Sequence, residues 1–128
     1  IEEGIMKFDD FTLSVRKTLH IESSLAYRIE SEGKSLVYSG DTDYSESLIE
    51  LARDADTLII ECSMPDGLKV KGHLTPNEVV RIANESKAKK VIISHLYPIC
   101  DEKNVIDKIR KEAKAETILA EDLLEIDI

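Results

Sequence analysis

Apolar and polar residues follow two different rhythms along this chain. In the first forty residues the period is two. Phe11, Leu13 and Val15 alternate with polar neighbours in "DDFTLSVRKTLH", which predicts a half-buried strand ending near His20. Leu25, Tyr27 and Ile29 alternate again in "SSLAYRIESEGKSLVYSG", Glu32-Gly33-Lys34 has turn chemistry, and Leu36-Val37-Tyr38 returns, so this segment predicts a hairpin. Beyond Gly40 the rhythm changes. "YSESLIELARDA" carries Leu48, Leu51 and Ala52 at i, i+3 and i+4, the signature of a helix, while "DTLIIEC" and "KKVIISH" are the short apolar runs of buried strands. "MPDGLKVKGHL" reads as a loop. In "TPNEVVRIANESKA" Thr75 is a good N-cap, Pro76 suits the first helical position, and Glu78 completes a capping box ahead of an inner stripe of Val79, Ile82 and Ala83. "DEKNVIDKIRKEAK" predicts a helix capped by Asp101 with Val105, Ile106 and Ile109 inward, and "TILA" and "LLEIDI" predict short closing strands.

The order is strands and a hairpin, then helix and strand in alternation. The second half implies parallel neighbours joined by crossover helices, and the first half is antiparallel, so the expected architecture is a mixed α/β sheet. The length of 128 residues and the 42% hydrophobic content suit one domain with a real core. No repeat, linker or low-complexity segment interrupts it.

Charge narrows the partners. With 26 acidic against 17 basic residues, the formal net charge is −9, which disfavours binding to RNA or DNA unless a metal or a local patch overrides it. No apolar run is long enough to span a membrane, and no signal-peptide pattern is present. Two cysteines, Cys62 and Cys100, are too few for a disulfide scaffold and are read as free thiols in a reducing, cytoplasmic setting. The acidic positions Glu46, Glu50, Asp54 and Asp56 read as solvated helix surface.

The candidate chemistry sits where strands end. The chain has only three histidines: His20 and His95 end predicted strands, and His73 lies just before the capped helix. Asp41 and Glu61 also end strands. In α/β sheets ligands collect beyond the carboxyl ends of strands, and imidazole with carboxylate is the ligand set for zinc or a similar divalent ion. Each residue also has a purely structural reading: an Asx turn for Asp41, a loop hydrogen bond for Glu61, a satisfied core histidine for His95. Tyr97 and Pro98 read either as rim of a pocket or as ordinary loop.

Four blocks carry a family resemblance: "FDDFTLSVRKTLHIESSLAYRIE", "LVYSGDTDYSESLIELARDADTLIIECS", "GHLTPNEVVRIA" and "KKVIISHLYP", together covering residues 8 to 98. In combination they resemble the C-terminal half of a metallo-β-lactamase-fold hydrolase, closest to the ribonuclease Z branch. The resemblance implies an α/β fold in which residues 1–128 form half of a four-layer αββα sandwich, a mixed sheet with flanking helices. It implies that His20 binds a first metal, Asp41 bridges two metals and His95 binds the second. His73 is then the group that protonates the leaving oxygen, and Glu61 orients it. The cofactor implied is zinc, two ions in the complete site, with manganese or iron as alternatives. Such a pair, about 3.5–4 Å apart, activates a water for attack on a phosphodiester or related ester.

The departures set further expectations. The family's HxHxDH signature is absent here and lies N-terminal to the matching blocks, and the chain starts at Ile1 rather than Met. The segment is therefore expected to be inactive alone and to need its missing N-terminal half, or a second copy, to cover a sheet face formed by Val37, Leu58, Ile60, Val91 and Ile93 or by their neighbours. The tight "SEGK" turn leaves no room for a tRNA-gripping arm, so another phosphoester substrate stands level with RNA, which the charge does not favour. The rival readings are a non-catalytic binding module on the same fold and, last, a receiver-like domain with Asp41 as phosphoacceptor.

Overall fold

The computed structural model describes residues 2–128. Seven strands form one sheet in sequence order: β1 (Gly4–Lys7), β2 (Thr12–Lys17), β3 (Leu25–Ser31), β4 (Lys34–Tyr38), β5 (Thr57–Glu61), β6 (Lys90–Ser94) and β7 (Glu116–Leu119). The first four pair antiparallel, and β4, β5, β6 and β7 pair parallel. The crossovers carry α1 (Glu46–Leu51) between β4 and β5, α2 (Pro76–Ser86) between β5 and β6, and α3 (Ile99–Glu102) with α4 (Val105–Glu112) between β6 and β7. An antiparallel first half is incompatible with a receiver-like doubly wound sheet.

Local chemistry explains most boundaries. The β3–β4 hairpin turns on Glu32 and Gly33, both at positive φ (50° and 76°), which matches the twist that a two-residue turn needs. Ser45 caps α1 by accepting from the Leu48 N–H. Thr75 and Glu78 form the expected capping box on α2 with Pro76 in the first turn, and Val79, Ile82 and Ala83 are buried. Two expectations fail, and one strand goes unannounced. Residues 4–7 make an edge strand that their own pattern does not announce. Asp101 lies inside α3 and caps nothing, because Asn104 in the left-handed region (φ 50°) breaks the helix and starts α4. Residues 120–128 form no strand.

The structure also decides between the two sheet faces that the sequence leaves open. Val37, Leu58, Ile60, Val91 and Ile93 are all 0% exposed and pack into one core with Leu48, Leu51, Val79, Ile82, Val105 and Ile109 of the helices. They are the covered face. By strand register, the other face carries Leu13, Tyr27, Ile29, Leu36, Tyr38, Ile59, Ile92 and Ile118. No helix joins them to the core, and Ile29 and Tyr38 remain 39% and 48% exposed. Asp56 is also not free surface: its carboxylate accepts from the Ser35 N–H and hydroxyl and pairs with Lys89.

Candidate active site

The loops at one end of the parallel strands converge. Asp41 follows β4, Glu61 ends β5, His73 lies in the loop from β5 to α2, and His95 follows β6. His20, in the loop from β2 to β3, reaches the same place, its ring centroid 4.8 Å from that of His73. His73 and His95 stand 5.6 Å apart by the same measure. All five residues singled out in the sequence therefore meet.

Backbone geometry delivers Asp41 and His95. Gly40 holds φ +58°, and a Cβ there would sit 2.6 Å from the carbonyl oxygen of Leu25, so the chain can turn out of β4 only with glycine. His95 itself occupies the left-handed region at φ 55°, uncommon for a residue other than glycine, and its Nε2 lies 3.7 Å from Asp41 Oδ1.

The Asp41 carboxylate faces two imidazoles at once. Its Oδ2 is 4.0 Å from His20 Nε2, and its Oδ1 is 3.7 Å from His95 Nε2. These spacings are too long for hydrogen bonds. Ligand atoms of Asp41, His73 and His95 lie within 4.8 Å of one another. The ring of His20 is held by its far nitrogen: Nδ1 lies 3.0 Å from the carbonyl oxygen of Gly72. A carbonyl can only accept, so Nδ1 carries the hydrogen and Nε2, facing Asp41, keeps its lone pair. The donor set and this tautomer fit a divalent cation of the zinc type.

Glu61 is the hub of the second arrangement. It is buried, and its two oxygens accept from the Thr42 N–H, the Leu74 N–H, the Ser63 N–H and hydroxyl, and His73 Nδ1 at 2.9 Å. The carboxylate has no hydrogen to give, so His73 Nδ1 is the donor and its Nε2 is free. Ser63 Oγ, 3.1 Å from the same nitrogen, helps fix the ring. Tyr97 stands beside this group, its ring centroid 5.8 Å from His95 and 6.4 Å from His73. Cys62 and Cys100 are buried free thiols, and burial pushes both up from the ordinary thiol value.

Residues 8–96 match the family model described as the beta-lactamase superfamily domain. The chain belongs to this superfamily. Within it, the chain lies on the ribonuclease Z-like branch of the metallo-β-lactamase fold, as its relatives show. It is 37% identical over 107 residues to the probable metallo-hydrolase YhfI of Bacillus subtilis, an alignment covering 81% of this chain and 42% of YhfI. It is 36% identical over 101 residues to ribonuclease Z of Methanosarcina acetivorans, covering 75% of this chain and 33% of that enzyme. The crystal structure of YhfI superposes with a TM-score of 0.82 at 28% identity, covering 92% of this chain and 49% of YhfI. Human tRNase Z, short form, shares the fold at a TM-score of 0.74 and 22% identity, covering 96% of this chain and 45% of that structure. The superfamily chain described here thus spans less than half the length of these relatives.

Sequence reasoning missed the residues that hold the site in place: Thr42, Asp43, Ser63, Lys69 and Gly72. Lys69 Nζ is 2.6 Å from Asp43 Oδ1, 2.7 Å from Glu78 and 2.6 Å from the carbonyl oxygen of His73. Burial pushes Asp43 up, but Lys69 and the N–H groups of Gly72 and Tyr44 outweigh it and hold the carboxyl below its ordinary value. Burial lowers Lys69, and its partners Asp43 and Glu78 more than compensate, so it sits above the ordinary lysine value. A charged residue in a loop gives no sequence signal for such a role.

Proposed function

We propose that this chain supplies the C-terminal share of a metal-dependent hydrolase site acting on a phosphodiester or related ester. The observation that carries this reading is the Asp41 carboxylate set between His20 Nε2 and His95 Nε2, at 4.0 and 3.7 Å, with both its oxygens free to bind. His20, Asp41 and His95 would hold divalent cations, zinc first, two in the complete site. Such ions, when bound, supply Lewis-acid polarisation of the ester and a water nucleophile at neutral pH.

The protein's own groups do the rest. Asp41 offers an oxygen to each side. His20 is held with its lone pair inward by Gly72. Glu61 keeps the hydrogen of His73 on Nδ1, so Nε2 is the atom that would exchange a proton with a leaving oxygen. Because ligand atoms of His73 also reach the cluster with Asp41 and His95, His73 can serve as a ligand when no leaving group is present.

The coverage of YhfI and ribonuclease Z, 42% and 33%, supports a site completed by residues outside these 128. The open sheet face bearing Ile29, Leu36, Tyr38 and Ile59 is the surface against which that share, or a second copy, would pack. RNA is not the favoured substrate: the net charge is −9, and the β3–β4 connection is a two-residue turn. Among the described residues no helix is long and apolar enough to cross a membrane.

Zinc titration of the purified chain by calorimetry tests the reading. Saturable binding is expected in the wild type, and its loss in Asp41→Ala and His95→Ala. Free zinc at about 100 times the dissociation constant should stabilise the fold by about 2.7 kcal/mol. Absence of any saturable binding of zinc, manganese or iron(II) would overturn it. No phosphodiesterase turnover is expected from the chain alone.

A further inference from the structure

We infer that Asp43 is a positioning residue for His20, locked in place by Lys69. The inference rests on the metal-site reading for its purpose and on the hydrogen-bond geometry for its existence. Asp43 touches both ends of the His20 environment. Its backbone N–H donates to the carbonyl of Leu19 at 2.9 Å, the residue before His20. Its Oδ2 accepts from the Gly72 N–H at 2.9 Å, and the carbonyl of that same Gly72 accepts from His20 Nδ1 at 3.0 Å. One glycine is thus gripped by its amide and presents its carbonyl to the imidazole.

The contact is close enough to dictate the residue. Gly72 has φ +88°, and a Cβ there would meet His20 Nδ1 at 2.9 Å. The other Asp43 oxygen, Oδ1, accepts from the Tyr44 N–H at 2.8 Å and from Lys69 Nζ at 2.6 Å. Lys69 in turn binds Glu78 at the start of α2 and the His73 carbonyl. The loop from β5 to α2 is therefore pinned at one ammonium, and its position sets where the Gly72 carbonyl points. A group bonded to the remote nitrogen of a ligating histidine fixes its tautomer and orientation. Here Asp43 fixes that group.

The experiment is a long-range nitrogen–proton correlation spectrum of the metal-free full chain, which reports the tautomer of each histidine, followed by zinc titration. In the wild type His20 should be the Nδ1–H form. In Asp43→Ala it should move toward the Nε2–H form that a free imidazole favours, while His73, held by Glu61, keeps its signature and shows that the fold persists. Asp43→Asn keeps an oxygen for the Gly72 N–H but turns an NH2 group toward the Lys69 ammonium and the Tyr44 N–H, so its His20 signature should fall between those of the wild type and Asp43→Ala. Zinc affinity should fall by about tenfold in Asp43→Ala and by less in Asp43→Asn. If Asp43→Ala fails to fold, Lys69→Met at the exposed end of the network gives the same readout. His20 remaining Nδ1–H in the alanine variant, or in Lys69→Met where that variant replaces it, would overturn the inference. Absence of zinc binding by the wild type would instead overturn the metal reading, and the tautomer result would still decide the role of Asp43.

Discussion

Glu61 Oε1 lies 2.9 Å from Nδ1 of His73, and the same carboxylate accepts from Thr42, Ser63 and Leu74. One buried side chain thus fastens the loop after β4, the end of β5 and the loop before α2. Glu61→Gln replaces one acceptor oxygen by an NH2 group facing donors. We expect a stability loss of about 1–3 kcal/mol in urea unfolding and loss of the single Nδ1–H signature of His73. A variant with wild-type stability and an unchanged His73 spectrum would show that the carboxylate holds neither.

Gly40 and Gly67 separate conformational cost from steric cost. Both have positive φ, +58° and +83°, but a Cβ at Gly67 meets open space whereas at Gly40 it meets the Leu25 carbonyl at 2.6 Å. Gly67→Ala should cost about 1–2 kcal/mol, the left-handed penalty alone. Gly40→Ala should cost at least about 1 kcal/mol more and displace Asp41, so it should also weaken zinc binding. Equal midpoints in thermal melts would refute the distinction.

Acid stability should depend on Asp56. The Lys89 ammonium beside it, with the Ser35 N–H and hydroxyl, lowers its carboxyl from 3.8 to about 2. A carboxyl that is more acidic when folded binds fewer protons in the folded state. Its contribution is therefore complete above the unfolded value of 3.8 and is lost as pH falls toward about 2. Urea midpoints measured across that window should fall less steeply in Asp56→Asn than in the wild type. Parallel curves would place the acid sensitivity elsewhere.

The open sheet face should drive association of the isolated chain. Ile29 and Tyr38 are its most exposed members, at 39% and 48%. Sedimentation velocity should show a concentration-dependent rise in mass over the micromolar range, suppressed by Ile29→Lys with Tyr38→Lys. A wild-type chain that stays monomeric throughout would show that this face needs no cover.

The strand-end residues were legible because a short apolar run followed by a single acid or histidine is a local pattern. His20, Asp41, Glu61 and His95 stood out in that way, His73 stood out by its place before the capping box, and the structure brings them together. The assignment of sheet faces was not legible. Leu58-Ile59-Ile60 and Val91-Ile92-Ile93 are apolar without alternation, so nothing in them says which side the helices cover. The edge strand β1 escaped because Ile5, 63% exposed, is barely buried and leaves no periodic trace.

The sequence by itself determined the order of β2 to β7 and of the helices between them, the capping box at Thr75, the hairpin turn, and the residue types available for chemistry. These depend on neighbours a few positions away, where propensity, capping and periodicity act. Only the tertiary structure decided which atoms meet. Asp43 and Lys69 are 26 residues apart, and His20 and Gly72 are 52 apart. A hydrogen bond is set by a few tenths of an ångström and a direction, which follow from how β2, β4 and the β5–α2 loop pack and from no local pattern. The sequence therefore named the carboxylates and imidazoles, and the packing assigned each of them the atom it presents.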